Sequence, residues 1–285
     1  MKTFLDIKQP PYEDSRAVII PFGYEKTVSY LKGTSRGPGA IMEASSQLEL
    51  YDIQTDSEPH LMGIHTLSET EIEGLSPEKA QDFIYDAVQK TLNDGKLPVL
   101  LGGEHSISAG SVRACKEKFP DLTVLQIDAH ADLRDSYEGS KYSHACAMSR
   151  IAESAPYVGV GIRSVGTEEL DAFKKKRTAG EIITVDDFRR LNNFKSIIDK
   201  LTENIYITID ADGYDPSIIP GVGTPEPGGL TYQETDNLLS EVITNRNVVG
   251  FDFVELRPIT GEVRSEFTAA KIIYKIIARI FRKNN

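Results

Sequence analysis

Eight short apolar runs punctuate the chain: "AVIIPFG" from Ala17, "LMGIHTL" from Leu61, "PVLLGG" from Pro98, "TVLQIDAH" from Thr123, "YVGVGIRS" from Tyr157, "EIITVDD" from Glu181, "IYITIDAD" from Ile205 and "VVGFDFVEL" from Val248. Most are apolar on successive positions and rich in β-branched residues, the pattern of strands buried on both faces. Between them the apolar positions recur with helical spacing. "SPEKAQDFIYDAVQKTLNDGK" carries Pro77 just inside its start and Gly95 at its end, where a helix tolerates them best. "SISAGSVRACKEKF", "NFKSIIDKLTEN" and "YQETDNLLSEVITNR" follow, and "SEFTAAKIIYKIIARIFRK" closes the chain with an apolar stripe suited to docking on a sheet.

This alternation predicts an α/β fold, a mainly parallel sheet covered on both faces. No Pro/Ser-rich linker, repeat or low-complexity tract divides the chain, so residues 1–285 are expected to form one domain. "DPSIIPGVGTPEPGGLT", from Asp215, is expected to be a shaped surface loop. A closed eight-stranded barrel would give the same alternation. Either architecture gathers functional groups at the carboxyl ends of its strands.

Charge narrows the partners. Forty-three acidic against 32 basic side chains leave a net charge of −11, a field that repels phosphate backbones and anionic lipid headgroups and suits cationic small molecules. Neither nucleic acid nor membrane is therefore expected as a partner. The one basic run, "KKKR" from Lys174, reads as the wet face of a helix. Cys115 and Cys146 are too few for a disulfide framework and lack paired-cysteine metal spacing, which points to a reducing cytoplasm. Acids and prolines interrupt the N-terminus before a secretory signal can develop, and nowhere do eighteen apolar residues run together.

The chemistry gathers where apolar runs end. On a strand, Asp128, His130 and Asp132 would share one face while Ala129 and Ala131 take the other. Asp210 and Asp212 repeat the device, and His105 follows the Gly102–Gly103 pair at a third strand end. So many acids in a poorly solvated crevice would not all ionise without a compensating cation. Four carboxylates and two imidazoles with no thiolate suit Mn2+ better than a structural zinc. Bridging carboxylates could hold two ions about 3.5–4 Å apart, as in two-metal hydrolytic sites. His60 and His65 lack ligand spacing and read as structural, and Cys146 as an inert thiol.

The segments "GGEHSIS", "DAHADLRD" with "YSHACAM", "TIDADGYDPSIIPGVGTPEPGGLT" and "GFDFVELRP" span residues 102–258. Their order and content resemble the signatures of the ureohydrolases, the arginase and agmatinase family. The resemblance implies a three-layer α/β/α fold around an eight-stranded, mostly parallel sheet, a centre of two Mn2+ ions, and a homotrimer or homohexamer. By motif, His105, Asp128, Asp132 and Asp210 would surround one ion, and Asp128, His130, Asp210 and Asp212 the other, with Asp128 and Asp210 bridging. It further implies that a water activated by both ions attacks a guanidinium carbon, that Asp132 relays its proton to the leaving nitrogen, that His144 exchanges protons with solvent, and that Glu255 orients the guanidinium. The chain departs from the family pattern at Thr208 and Ser149, usually serine and arginine, and at Val222, usually threonine.

Within that family, agmatine is the expected substrate, with urea and putrescine as products. The loop "LRDSYEGSKYSHA" lacks the neutral polar cluster with which arginase holds an α-carboxylate. It offers instead Asp135 and Glu138 to a cationic amine tail. Arg134 and Lys141 could serve an anionic tail, and Arg163 is a candidate rim group. Arginase, guanidinobutyrase and formimidoylglutamase activities, or a non-catalytic metal-binding relative, are the alternatives.

Overall fold

The computed structural model describes residues 2–70, 72, 74–176 and 180–284. All eight apolar runs contain strands: β1 (Ala17–Phe22), β2 (Ile64–Thr66), β3 (Leu97–Gly102), β4 (Thr123–Ile127), β5 (Tyr157–Ile162), β6 (Gly180–Thr184), β7 (Asn204–Asp210) and β8 (Asn247–Val254). They pair in parallel throughout, in the order β2-β1-β3-β8-β7-β4-β5-β6. The sheet is open, with β2 and β6 at its edges, so the closed-barrel alternative does not hold.

Nine helices flank the sheet among the described residues: α1 (Gly37–Ser45), α2 (Pro77–Asn93), α3 (Ser108–Lys118), α4 (Ala147–Ile151), α5 (Thr167–Lys176), α6 (Val185–Arg189), α7 (Lys195–Ile198), α8 (Tyr232–Asn245) and α9 (Arg264–Lys283). Successive strand side chains point to opposite faces, and the core divides accordingly. Ile19, Leu101, Leu125 and Ile207 join the cluster that packs under α1, α8 and α9. Val18, Leu100, Val124 and Tyr206 join the cluster under α2, α3 and α4. The result is three layers, helix, sheet, helix.

Local signals explain the longer helices. Ser76 caps α2 ahead of Pro77, and Gly95 supplies the positive φ beyond its end. Thr231 and Glu234 form a reciprocal capping box at the start of α8. In α9, Ala269, Ile273, Ile276, Ile277 and Ile280 recur at three- and four-residue spacing and are buried. Truncating one fully buried member, Ile273→Ala, would cost about 2–5 kcal/mol. Pattern fails at the short pieces. The "NFKSIIDKLTEN" stretch yields only one turn, α7, and "VDD" opens α6 rather than extending β6. Lys174 and Lys175 lie exposed on α5, as a wet helical face requires, while Arg177 of the same basic run lies outside the described residues.

Strand order decides where a ligand can sit. The chain lays β2 on one side of β1 and β3 on the other; it then crosses to β4 and builds away through β5 and β6, and β7 and β8 later fill the gap. The carboxyl ends of β3, β8, β7 and β4 therefore stand side by side at the point where connections diverge, the position at which open α/β sheets form a crevice.

Candidate metal centre

Each of the four central strands delivers its groups as it ends. After β3, Gly103 approaches Tyr24 so closely that a Cβ there would sit 2.1 Å from the Tyr24 carbonyl oxygen. Only glycine makes that turn, which brings His105 to the head of the helical turn leading into α3. The pairing of β4 stops at Ile127, one residue before the acids, so the expected strand-face alternation is only partly realised. Ala129 and Ala131 are buried, His130 forms a bridge to Ser164, and Asp132 turns inward with a left-handed φ of 50°. Asp210 is the last residue of β7, and its carboxylate accepts the Asp212 backbone N–H at 2.9 Å. Glu255 follows β8 with a φ of 61°, accepts the His105 N–H at 2.7 Å and donates its own N–H to the Gly103 carbonyl.

These turns bring together all six residues proposed from sequence as ligands. His105 Nδ1 lies 3.1 Å from Asp128 Oδ2, 3.2 Å from Asp132 Oδ2 and 3.3 Å from Asp210 Oδ2. His130 Nδ1 lies 3.0 Å from Asp212 Oδ2 and 3.8 Å from Asp128 Oδ1. Two ligand-type groupings result, His105–Asp128–Asp132 and Asp128–His130–Asp212, joined at Asp128.

The hydrogen bonds around His105 test whether a cation fits. Thr208 gives its one hydroxyl hydrogen to Asp252 Oδ1 at 2.6 Å, leaving lone pairs toward His105 Nε2 at 2.9 Å. That network puts the ring hydrogen on Nε2 and aims the Nδ1 lone pair at three carboxylates. Nδ1 aligns with none of them as a hydrogen bond although it is fully buried. A lone pair facing three acids is repulsive unless a positive charge sits among them, and a dication fits that demand.

From protein groups alone, the cluster resolves its charge with protons. Burial disfavours a charged His105, but Asp128, Asp132 and Asp210 outweigh it and hold the imidazole well above its usual range. His130, likewise opposed by burial, is carried by Asp212 to about 11. Burial lifts Asp128 to about 6 against the pull of His105, with the charges of Asp212 and Asp132 adding to the rise. Burial, then Asp212 and Asp128, push Asp210 well up. For Asp212, burial is overcome by His130 and the carboxyl falls to about 2. Bound dications would take over from the imidazole protons and release them.

His130, Asp132, Asp210 and Asp212 of the cluster line the floor of a cleft of about 360 Å3, with Val28, Tyr30, Tyr137 and Val165 among its walls. His144, Glu255 and Arg134 also line it. The three residues proposed from sequence for the substrate tail or rim do not. Asp135 is exposed and paired with Arg150 at 3.0 Å, and Glu138 is exposed at the tip of its turn. Arg163 donates to six backbone carbonyls, those of Gly161, Asp212, Gly213, Tyr214, Glu226 and Pro227. It buckles the loop after β7 to the end of β5 and has no donor geometry left for a ligand.

A model of the arginase family matches residues 15–278. The chain belongs to the arginase family. It is 40% identical over 277 residues to the N(1)-aminopropylagmatine ureohydrolase of Synechocystis sp., covering 93% of this chain and 89% of that protein. It is 36% identical over 255 residues to the agmatinase of Bacillus anthracis, covering 88% and 86% of the two chains. The crystal structure of the agmatine ureohydrolase of Thermoplasma volcanium superposes with a TM-score of 0.87 at 33% identity, covering 96% of this chain and 93% of that one. The protein is thus an arginase-family ureohydrolase, a hydrolase built on that family's single eight-stranded parallel sheet. No helix among the described residues is long and apolar enough to cross a membrane.

Several groups that shape this ureohydrolase site escaped the sequence reading. Gln126 donates to Asp128 Oδ2 at 2.8 Å and to the His130 carbonyl at 3.0 Å, locking the turn after β4. Asp252, fully buried, ties Thr208 and Tyr206 together behind His105. Glu169 on the cleft wall accepts from the Leu133 and Gly166 amides and pairs with Arg134 at 3.5 Å. Asp252 and Gln126 could have been suspected as polar residues inside apolar runs; nothing in the sequence singles out Glu169.

Proposed function

We propose that this chain hydrolyses a guanidino amine, releasing urea and the corresponding amine, at a centre of two Mn2+ ions. The substrate is agmatine, with putrescine as the other product. The observation that carries the reading is buried His105 Nδ1, within 3.3 Å of three buried carboxylates and aligned with none of them as a hydrogen bond, beneath a cleft. His105, Asp128, Asp132 and Asp210 would hold one ion and Asp128, His130, Asp210 and Asp212 the other. When bound, the ions supply Lewis acidity and a water acidified toward neutrality.

The protein's own groups do the rest. Glu255 has one carboxylate oxygen committed to the His105 amide, which leaves the other to accept from a guanidinium. Burial, reinforced by the neighbouring Glu104 charge, pushes the Glu255 carboxyl well up, so an arriving guanidinium cation offsets a cost already present in the fold. Asp132, at the boundary of floor and cleft, would carry a proton to the leaving nitrogen, and His144 on the wall would exchange it with solvent. Residues 1–285 would act as one catalytic domain, in the cytoplasm and as a homo-oligomer.

A cationic, carboxylate-free tail suits the net charge of −11. A longer tail is the second reading, because the relative at 40% identity is named for N1-aminopropylagmatine and the cleft walls extend beyond the floor through Tyr30 and Val165. Urea release by the Mn2+-loaded chain from agmatine, N1-aminopropylagmatine, arginine and guanidinobutyrate decides among them. We expect both guanidino amines to exceed both carboxylate-bearing compounds in kcat/KM by at least about tenfold, roughly 1.4 kcal/mol. A preference for arginine would overturn the reading.

A further inference from the structure

Glu104 is fully buried beside His105, and its hydrogen bonds run to the loop after β1 and to Ser106. Its Oε2 accepts the Lys26 and Thr27 backbone N–H groups at 2.7 and 2.6 Å. Its Oε1 accepts the Ser106 hydroxyl at 2.6 Å and the Thr27 hydroxyl at 3.0 Å. Four donors on two oxygens is the pattern of a carboxylate acting only as an acceptor. It fastens the loop after β1, from which Val28 and Tyr30 reach the cleft, to the end of β3.

Thr27 has one hydroxyl hydrogen, and Glu104 takes it. Its lone pairs therefore face His144, where they meet the backbone N–H at 2.9 Å and ring Nδ1 at 3.3 Å. An oxygen that has spent its hydrogen can only accept from Nδ1. The Ser143 hydroxyl, also 3.3 Å from Nδ1, is free to rotate and accepts from it once Nδ1 carries the hydrogen, and Tyr137 meets the imidazole edge to face with ring centres 6.0 Å apart. With Nδ1 turned to Thr27, the edge bearing Nε2 is the one left for the cleft that His144 lines.

We propose that Glu104 and Thr27 form a bracket that holds His144 as the Nδ1–H tautomer, so that its Nε2 lone pair is presented to the cleft as a ready proton acceptor. Thr27 is thus a positioning residue that acts through His144. The inference rests on the proposed hydrolytic reading only for its kinetic consequence; the tautomer rests on the Glu104–Thr27–His144 chain of hydrogen bonds. The bracket is directional: a neutral amide at position 104 would turn its NH2 toward Thr27, freeing the Thr27 hydrogen to point at Nδ1 and favouring the opposite tautomer.

The kinetic test compares wild type, Thr27→Val, Thr27→Ser and Glu104→Gln, all Mn2+-loaded and checked for equal metal content, with His144→Ala setting the floor. Thr27→Val is isosteric but cannot accept, and should lower kcat for agmatine by about 10–100-fold with KM changed less than about threefold. Thr27→Ser, which keeps the oxygen, should recover most of that loss, and Glu104→Gln should resemble Thr27→Val. Unchanged kcat in Thr27→Val, or no recovery in Thr27→Ser, overturns the proposal. A second measurement is independent of any substrate: 15N NMR of histidine-labelled chain loaded with diamagnetic Mg2+, read where the His144 signals no longer change as pH is raised. His144, assigned through His144→Ala, should show a protonated Nδ1 and an unprotonated Nε2 in wild type and lose that preference in Thr27→Val. An Nε2–H tautomer in wild type sinks the bracket. A wild-type chain that releases no urea from any guanidine, yet shows the Nδ1–H signature, would sink the functional reading instead.

Discussion

Two buried acidic sites in this molecule solve the same electrostatic problem differently. On the helical layer, Asp236 of α8 is buried between Lys275 Nζ at 2.9 Å and Arg279 Nη1 at 2.8 Å, both from α9. Burial alone would raise its carboxyl, but Arg279 and Lys275 prevail and hold it below the usual range. At the crevice, Asp128 and Asp210 are as deeply buried, and there the balance tips upward. An acid that only joins helices brings its cations in the same chain. The crevice acids pair with two imidazoles, Arg163 acts on Asp212 and Asp128 only through its charge, and among the described residues no lysine or arginine forms an ion pair with their carboxylates; the arrangement asks for a cation from outside.

That contrast can be broken most forcefully at Asp128, the residue common to both ligand-type groupings. Asp128→Asn should abolish binding of at least one Mn2+ and cut urea release by about 10^3-fold or more, several kcal/mol of transition-state stabilisation. Elemental analysis beside the urea assay checks it, and full metal content with high activity would refute the shared-ligand role. The helical site should behave oppositely. Asp236→Ala strands buried Lys275 and deprives the partly buried Arg279 of its carboxylate, and should cost about 3 kcal/mol in denaturant unfolding, while activity per folded molecule and metal content stay at wild-type levels.

Acidity sharpens the same comparison. With its carboxyl raised to about 6, Asp128 keeps a proton in the folded metal-free chain between about pH 4 and 6 that the unfolded chain has already lost. Stability of the chelator-treated protein should therefore fall as pH rises through that window, by on the order of 3 kcal/mol. Asp210 and Glu255, also held up by burial, act in the same sense. Asp212 acts in the reverse sense but only lower down: its stabilisation is present above about pH 4 and disappears as pH falls toward 2. Adding Mn2+ should flatten the slope between pH 4 and 6, and a metal-free chain that gains stability across that window would contradict the cluster's electrostatics. The smallest effect is expected at Thr208→Ser, which keeps the hydroxyl linking His105 to Asp252 and should leave kcat within about twofold.

Much of the centre was legible because its chemistry is local. His105, the acids around His130, and Asp210 with Asp212 each stand at the end of an apolar run, which is enough to bring them to one edge of a sheet, although turns rather than strand alternation aim His105, Asp132 and Asp212. The tail residues were not legible in that way. Asp135 and Glu138 have the right charge and lie near the right motif, but the loop turns them to solvent and gives Asp135 to Arg150. Arg163 looked like a rim cation because a sequence shows its charge but not the six carbonyls that absorb it. Thr27 carries no signal, since its importance lies in a contact with His144, 117 positions away.

The sequence by itself determined the strand and helix alternation, the parallel sheet and the supply of ligand-type groups, because these follow from backbone periodicity and from the cost of burying charge. Tertiary structure alone decided that the sheet stays open, that β8 and β7 slot between β3 and β4, and which way each hydrogen bond around His105 and His144 runs. Those outcomes depend on the meeting of segments about a hundred residues apart, and the orientation of one hydroxyl hydrogen is fixed only when every neighbour competing for it is in place.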